Sequence, residues 1–126
     1  MKIDAVGVTS SDMQKTVDFY TLLGFEFADF KADEDHLEPV ASPGSVRLMI
    51  DSKAIIKDIL GEEPKPGNHS SFAILYGTPA EVDRVAAAVK EAGFTLVSDP
   101  WDAFWGQRYA IVQDPDGYRV DLFASL

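Results

Sequence analysis

The sequence runs through the same order of elements twice. A strand-like stretch, a helix-length segment, a glycine stop and three further strand-like stretches fill the first 52 residues, and the order recurs from residue 69. In the first copy Ile3–Val8 alternates and is rich in β-branched residues, which predicts a strand. Ser10, Ser11 and Asp12 supply helix-start chemistry. Met13, Val17, Tyr20 and Leu23 fall at three- to four-residue spacing on one helical face, and Gly24 stops the helix. Phe25–Phe30, His36–Ala41 and Val46–Ile50 are the expected strands that follow, with Pro43-Gly44 marking the turn before the last of them.

The second copy opens with an expected strand at Ser71–Tyr76, followed by a helix that starts near Pro79. Val82, Val85 and Val89 share one face of that helix and Gly93 ends it. Phe94–Val97, Arg108–Val112 and Tyr118–Phe123 are the strands that follow, with a turn at Asp114-Pro115-Asp116-Gly117. The punctuation matches: Leu23-Gly24-Phe25 answers Ala92-Gly93-Phe94. Lys53–Leu60 reads as a short helix, and 61–68 as a polar linker. Neither copy alone can bury both its helix and the inner face of its sheet, so the two are expected to share a core. The expected architecture is α+β, two βαβββ modules in one domain over residues 1–126. Module one covers about 1–52, the linker about 53–68 and module two about 69–126.

Composition narrows the partners. Twenty-one acidic residues against eleven basic ones give a formal charge of −10, which repels phosphate backbones, so no nucleic-acid partner is expected. No apolar run approaches the roughly 18 residues of a membrane span. The amino terminus reads as no secretory signal, so no membrane partner and a cytoplasmic location are expected. The absence of cysteine removes disulfides, thiolate metal ligands and a thiol nucleophile together.

Two blocks carry a family resemblance. One runs from Ser11-Asp12-Met13 through Phe19-Tyr20 to Leu23-Gly24-Phe25; the other is Asp114-Pro115-Asp116-Gly117 continuing to Phe123. Their order resembles the vicinal oxygen chelate (glyoxalase/bleomycin resistance/dioxygenase) superfamily, whose members are built from paired βαβββ modules. Pro100-Trp101-Asp102-Ala103-Phe104-Trp105-Gly106-Gln107-Arg108-Tyr109 is similar to the drug-binding, mitomycin-resistance type of member, and His36 falls where that type has a histidine.

Metal-dependent members draw ligands from the first and last strands of each module. The resemblance puts those positions on Ala5, Leu48, a site near His69, and Asp121. Two candidates out of four do not make a tight or catalytic site, so no metal and no cofactor are expected. No G-x-S-x-G elbow or phosphate-cradling glycine loop is present, and no catalytic residue is assigned.

The chain offers aromatic surface instead. Both tryptophans lie at Trp101 and Trp105 with Phe104 between them, flanked by Pro100 and Gly106, and this spacing predicts a loop over a cleft. An indole there is a flat stacking surface, although Trp101 can also serve as a core anchor. By the resemblance, His36 and Trp105 would sandwich a planar ring, with Trp101, Phe104, Arg108 and Asp121 completing the ligand-binding set. Strand alternation forbids Gln107, Arg108 and Tyr109 from all pointing inward.

The expected function is therefore non-catalytic: sequestration of a planar aromatic or quinone-like small molecule, an antibiotic being the natural case. The alternative is a glyoxalase-like lyase or related enzyme with an atypical or absent metal site. A third reading uses the fold only as a dimer interface. A homodimer is expected, with the cleft at or near the subunit interface, because relatives complete their sheets with a second subunit and symmetric pairs are the commonest oligomers.

Overall fold

A computed structural model describes all 126 residues, as two compact units, Met1–Pro66 and Gly67–Leu126. The N-terminal unit holds β1 (Ala5–Ser10), α1 (Met13–Leu22), β2 (His36–Leu37), β3 (Arg47–Ser52) and α2 (Lys53–Leu60). Its sheet runs β1-β3-β2, with β1 parallel and β2 antiparallel to β3. The C-terminal unit holds β4 (Ser70–Leu75), α3 (Pro79–Glu91), β5 (Thr95–Ala103), β6 (Gln107–Gln113) and β7 (Arg119–Ser125). Its sheet runs β4-β7-β6-β5, with β4 parallel to β7 and the other pairs antiparallel. The mixed α+β class and the repeat are as expected: in each unit the first strand lies parallel beside the last. No helix is long and apolar enough to cross a membrane.

Local chemistry sets the helix ends. The Asp12 carboxylate accepts from the Lys15 backbone N–H, and the Thr78 hydroxyl accepts from that of Glu81, each satisfying a first-turn donor. Pro79 occupies the first turn of α3, where no N–H is missed. Gly24 and Gly93 take φ of +110° and +88°, the left-handed conformation that ends a helix without a Cβ penalty. On α3, Val82, Val85, Ala86 and Val89 are buried. They cover the sheet face that carries Ala110, Val112, Val120, Leu122 and Ala124.

Three expected elements come out differently. Phe25–Phe30 is not a strand; its one backbone bond in that direction runs from the Val40 N–H to the Glu26 carbonyl, at 2.8 Å. The reason lies in its intended partner. His36–Ala41 pairs only at His36 and Leu37, because Pro39 has no N–H and restricts Glu38 before it. The third difference is at Pro100–Ala103, read as loop but lying on β5. There Trp101 pairs with Tyr109, Asp102 with Arg108 and Ala103 with Gln107. The register shifts between Ser98 and Trp101, and β5 is the sheet edge, so Pro100 is accommodated where its missing donor costs little. Only Phe104-Trp105-Gly106 form the turn, closed by the Gly106 N–H donating to the Ala103 carbonyl, with Gly106 at φ +91°.

Candidate ligand-binding site

The face of the C-terminal sheet turned away from α3 is built by alternation. Cross-strand register aligns Leu75, Phe123, Tyr109 and Trp101 in one row, and Ala73, Asp121 and Ile111 in the next. Tyr109 is the hub. Its ring stacks on Phe123 at 5.9 Å and 24°, and its centroid lies 5.3 Å from Trp101 and 5.4 Å from Trp105. Trp105 also meets Trp101 edge-on at 6.4 Å and Phe104 at 5.1 Å. These distances fall in the range where offset and edge-to-face pairs attract. Trp105 remains 50% exposed and Phe104 96% exposed. The Trp105 indole N–H donates to the Gln107 side-chain carbonyl at 2.8 Å, so its ring faces, not its donor, are available to a ligand.

Asp121 adjoins this row. The Ser70 hydroxyl donates to one carboxylate oxygen and the Tyr109 hydroxyl to the other. Burial, and then the bond to Asp121, push the Tyr109 phenol up to about 12, so it keeps its proton at neutral pH. Arg119 lies two residues along β7 on the same face, but its guanidinium donates to Gln113 and to the Asn68 carbonyl.

The expected residues separate accordingly. Trp101, Phe104, Trp105 and Asp121 come together in the C-terminal unit. Trp101 serves both readings, half-buried on its strand yet edging the row. Arg108 stands apart: strand alternation turns it to the helix side, where it pairs with Asp83 at 2.8 Å and Asp102 at 3.1 Å. Tyr109 takes the seat on the face, and Phe123, Leu75 and Ser70 complete it. Those three were missed because nothing local to their own strands reveals which strand lies beside them.

His36 belongs to the N-terminal unit, on β2. Its Nδ1 lies 2.6 Å from Asp51 and its Nε2 2.8 Å from Glu38. Glu38 in turn accepts from Arg47, which also holds Asp4. Two carboxylate partners on one ring favour the doubly protonated form. Asp51 first, then Glu38, raise the His36 pKa above its ordinary 6.5. A folded pKa above the unfolded one means the stabilisation is fully present below about 6.5 and is lost as pH rises through the folded value. The His36 ring proton should therefore titrate above pH 6.5 by NMR, and Asp51→Asn should lower that midpoint. A midpoint unchanged by Asp51→Asn would remove the clamp.

The metal positions do not fit a metal. Register sets Ala5 opposite Arg47 and Gly7 opposite Met49. Leu48, only 3% exposed, lies on the other face with Val6, so Arg47 and Met49 flank the Ala5 row in its place. Neither supplies a ligand for a hard divalent ion. His69 precedes β4, with its Nδ1 at 3.2 Å from the Ser70 carbonyl. No group of three or more His, Asp or Glu side chains is arranged to hold an ion.

A separate open groove of about 620 Å³ lies among Val17, Thr21 and 25–30. Its acids, Glu26 and Asp29, are exposed. Specific pockets need polar groups that converge, and the aromatic face with Asp121 meets that requirement.

Comparison with known proteins agrees with this architecture. The profile of the Glyoxalase/Bleomycin resistance protein/Dioxygenase superfamily matches residues 2–122. A glyoxalase domain-containing protein of Mycosarcoma maydis is 26% identical over 123 residues, covering 95% of this chain and 66% of that protein's length. Among solved structures, a glyoxalase-related enzyme from Fulvimarina pelagi superposes with a TM-score of 0.82 at 16% identity, covering 99% of this chain and 88% of that one. A lactoylglutathione lyase from Agrobacterium tumefaciens gives 0.70 at 15% identity, covering 98% and 92%. Likeness at such identities reaches the fold alone.

Proposed function

The chain belongs to the Glyoxalase/Bleomycin resistance protein/Dioxygenase superfamily, and from that premise we propose that it binds a planar aromatic or quinone-like small molecule against the aromatic face of its C-terminal sheet and releases it unchanged. The fold hosts binders and enzymes alike, so the site must carry the argument. The observation that carries it is the row of Trp101, Tyr109 and Phe123, topped by the half-exposed Trp105 ring.

Each aromatic pair adds about 0.5–1.5 kcal/mol beyond the burial of area, and burial contributes roughly 25 cal/mol per Å² before ordering costs. A ring stacked on Trp105 and meeting Tyr109 by an edge gains from both without any bond being made or broken. The competing reading, a glyoxalase-like lyase, would draw on Asp121, whose carboxylate is held by the Ser70 and Tyr109 hydroxyls and keeps accepting capacity, so the chemical state of the recovered ligand decides between the two. A planar antibiotic of the mitomycin type fits the binding reading, and sequestration in the cytoplasm by a homodimer is the form we propose for it. His36 is carried as a further proposed contact.

Titration with a mitomycin-type quinone should quench tryptophan fluorescence saturably. Chromatography should return the quinone unaltered, and light scattering on the same sample should report a dimer. Absence of saturable quenching sinks the binding reading, and a transformed quinone establishes the enzyme.

A further inference from the structure

Asp121 sits where the superfamily resemblance implies a metal ligand, yet two of the other positions of that set are taken by Ala5 and Leu48, which cannot serve. Both of its oxygens accept from neutral hydroxyls, those of Ser70 and Tyr109. It forms no ion pair with any cation of the chain, and the nearest one along β7, Arg119, is committed to Gln113 and the Asn68 carbonyl. A carboxylate has about four lone-pair sites, so two hydroxyl donors leave roughly half of its accepting capacity open. Beside it stand the rings of Tyr109, Phe123, Trp101 and Trp105, whose π-faces carry partial negative charge.

We propose that this face selects a cationic planar ligand, an aromatic amine or amidinium that stacks on the Trp105 ring beside Tyr109 and gives its N–H donors to Asp121. The inference rests on the binding reading above and adds the sign of the ligand's charge. Three features of the face act in one direction. A carboxylate without a counter-charge attracts a cation, and electron-rich ring faces attract a cation more than a neutral ring. The formal charge of −10 raises the local concentration of cations and lowers that of anions. Ser70 and Tyr109 hold the carboxylate in place, so that its remaining lone pairs present a defined edge.

The test uses two ring systems of matched shape, 9-aminoacridine, which is protonated at pH 7.5, and acridine, which is neutral there. Both are titrated against the whole chain by tryptophan quenching and by calorimetry. The protonated ring should bind about tenfold more tightly, a factor that corresponds to about 1.4 kcal/mol. Asp121→Asn should remove most of that preference, read as the ratio of the two affinities in the variant against the ratio in the parent. Because the substitution alters a hydrogen-bonded residue, circular dichroism must show the variant folded; the wild-type preference for the cation decides the question without it. Equal affinity of wild-type protein for the two rings overturns the charge selection and leaves the binding reading standing. Saturable binding of neither ring overturns both.

Discussion

Leu122→Ala should lower the free energy of unfolding by about 3 kcal/mol, within the 2–5 kcal/mol range seen for leucine truncations in well-packed cores. Leu122 is fully buried (0% exposed) on β7, between Ile74 of β4 and Ala110 of β6. It lies on the sheet face covered by α3, whose Val82, Val85 and Val89 are buried as well. The neighbour across on β6 is only an alanine, which cannot swing into the vacated space, so a cavity would persist and its cost adds to the lost transfer free energy. Such a loss is a large part of the roughly 5–15 kcal/mol that holds a typical domain together. Chemical denaturation should show a lower midpoint with an unchanged slope. Leu75→Ala is the control: Leu75 is 66% exposed on β4, on the opposite face, and its truncation should cost well under about 1 kcal/mol. A Leu122→Ala cost as small as that of Leu75→Ala would mean that α3 does not cover the core assigned to it.

The second large effect is on binding. Trp105→Ala should weaken the affinity for a mitomycin-type quinone by about 2 kcal/mol or more, roughly thirtyfold, which is the size of an aromatic hot spot. Trp105 meets Trp101, Phe104 and Tyr109 by ring edges and faces and keeps half its surface free. Its removal takes away the half-exposed indole that tops the row. Stability should change little, because the ring lies in a turn rather than in the α3-covered core. Trp101→Phe should behave differently. Trp101 is paired with Tyr109 on β5, so a smaller ring there should shift stability more than affinity. Calorimetric titration and thermal melts of the two variants separate the roles. If Trp105→Ala binds the quinone as tightly as the parent, the ligand does not lie on this row.

The helices, their caps and their glycine stops were legible from the chain alone, because each depends on contacts a few residues apart. Asp12 caps the helix it precedes, and Pro79 stands at the start of the other. Gly24 and Gly93 sit at positive φ just past their ends, and the valine spacing of α3 matches its buried face. Family membership was legible for the same reason, since the repeat and its two motifs lie along the sequence in order. The proposed site was legible in part. Two tryptophans bracketing a phenylalanine marked an aromatic surface, but their spacing suggested a loop, whereas pairing with Arg108 and Tyr109 draws Trp101 and Asp102 into β5.

Strand partners and facing were decided by tertiary structure alone. The face on which a strand residue lies changes with a one-residue slip, and register is set by a partner strand distant in sequence. Arg108 and Tyr109 are adjacent and equally capable of meeting a ligand, yet alternation sends one to Asp83 on α3 and the other to Asp121 and the tryptophans. Asp121, a metal-ligand position by the resemblance and a member of the expected ligand-binding set, is a carboxylate held by Ser70 and Tyr109. Ser70 lies 51 residues away in sequence and meets Asp121 only because β4 runs parallel beside β7. Elements stabilised by their own neighbours along the chain follow from short stretches of it; the composition of the face depends on hydrogen bonds between strands that no short stretch encodes.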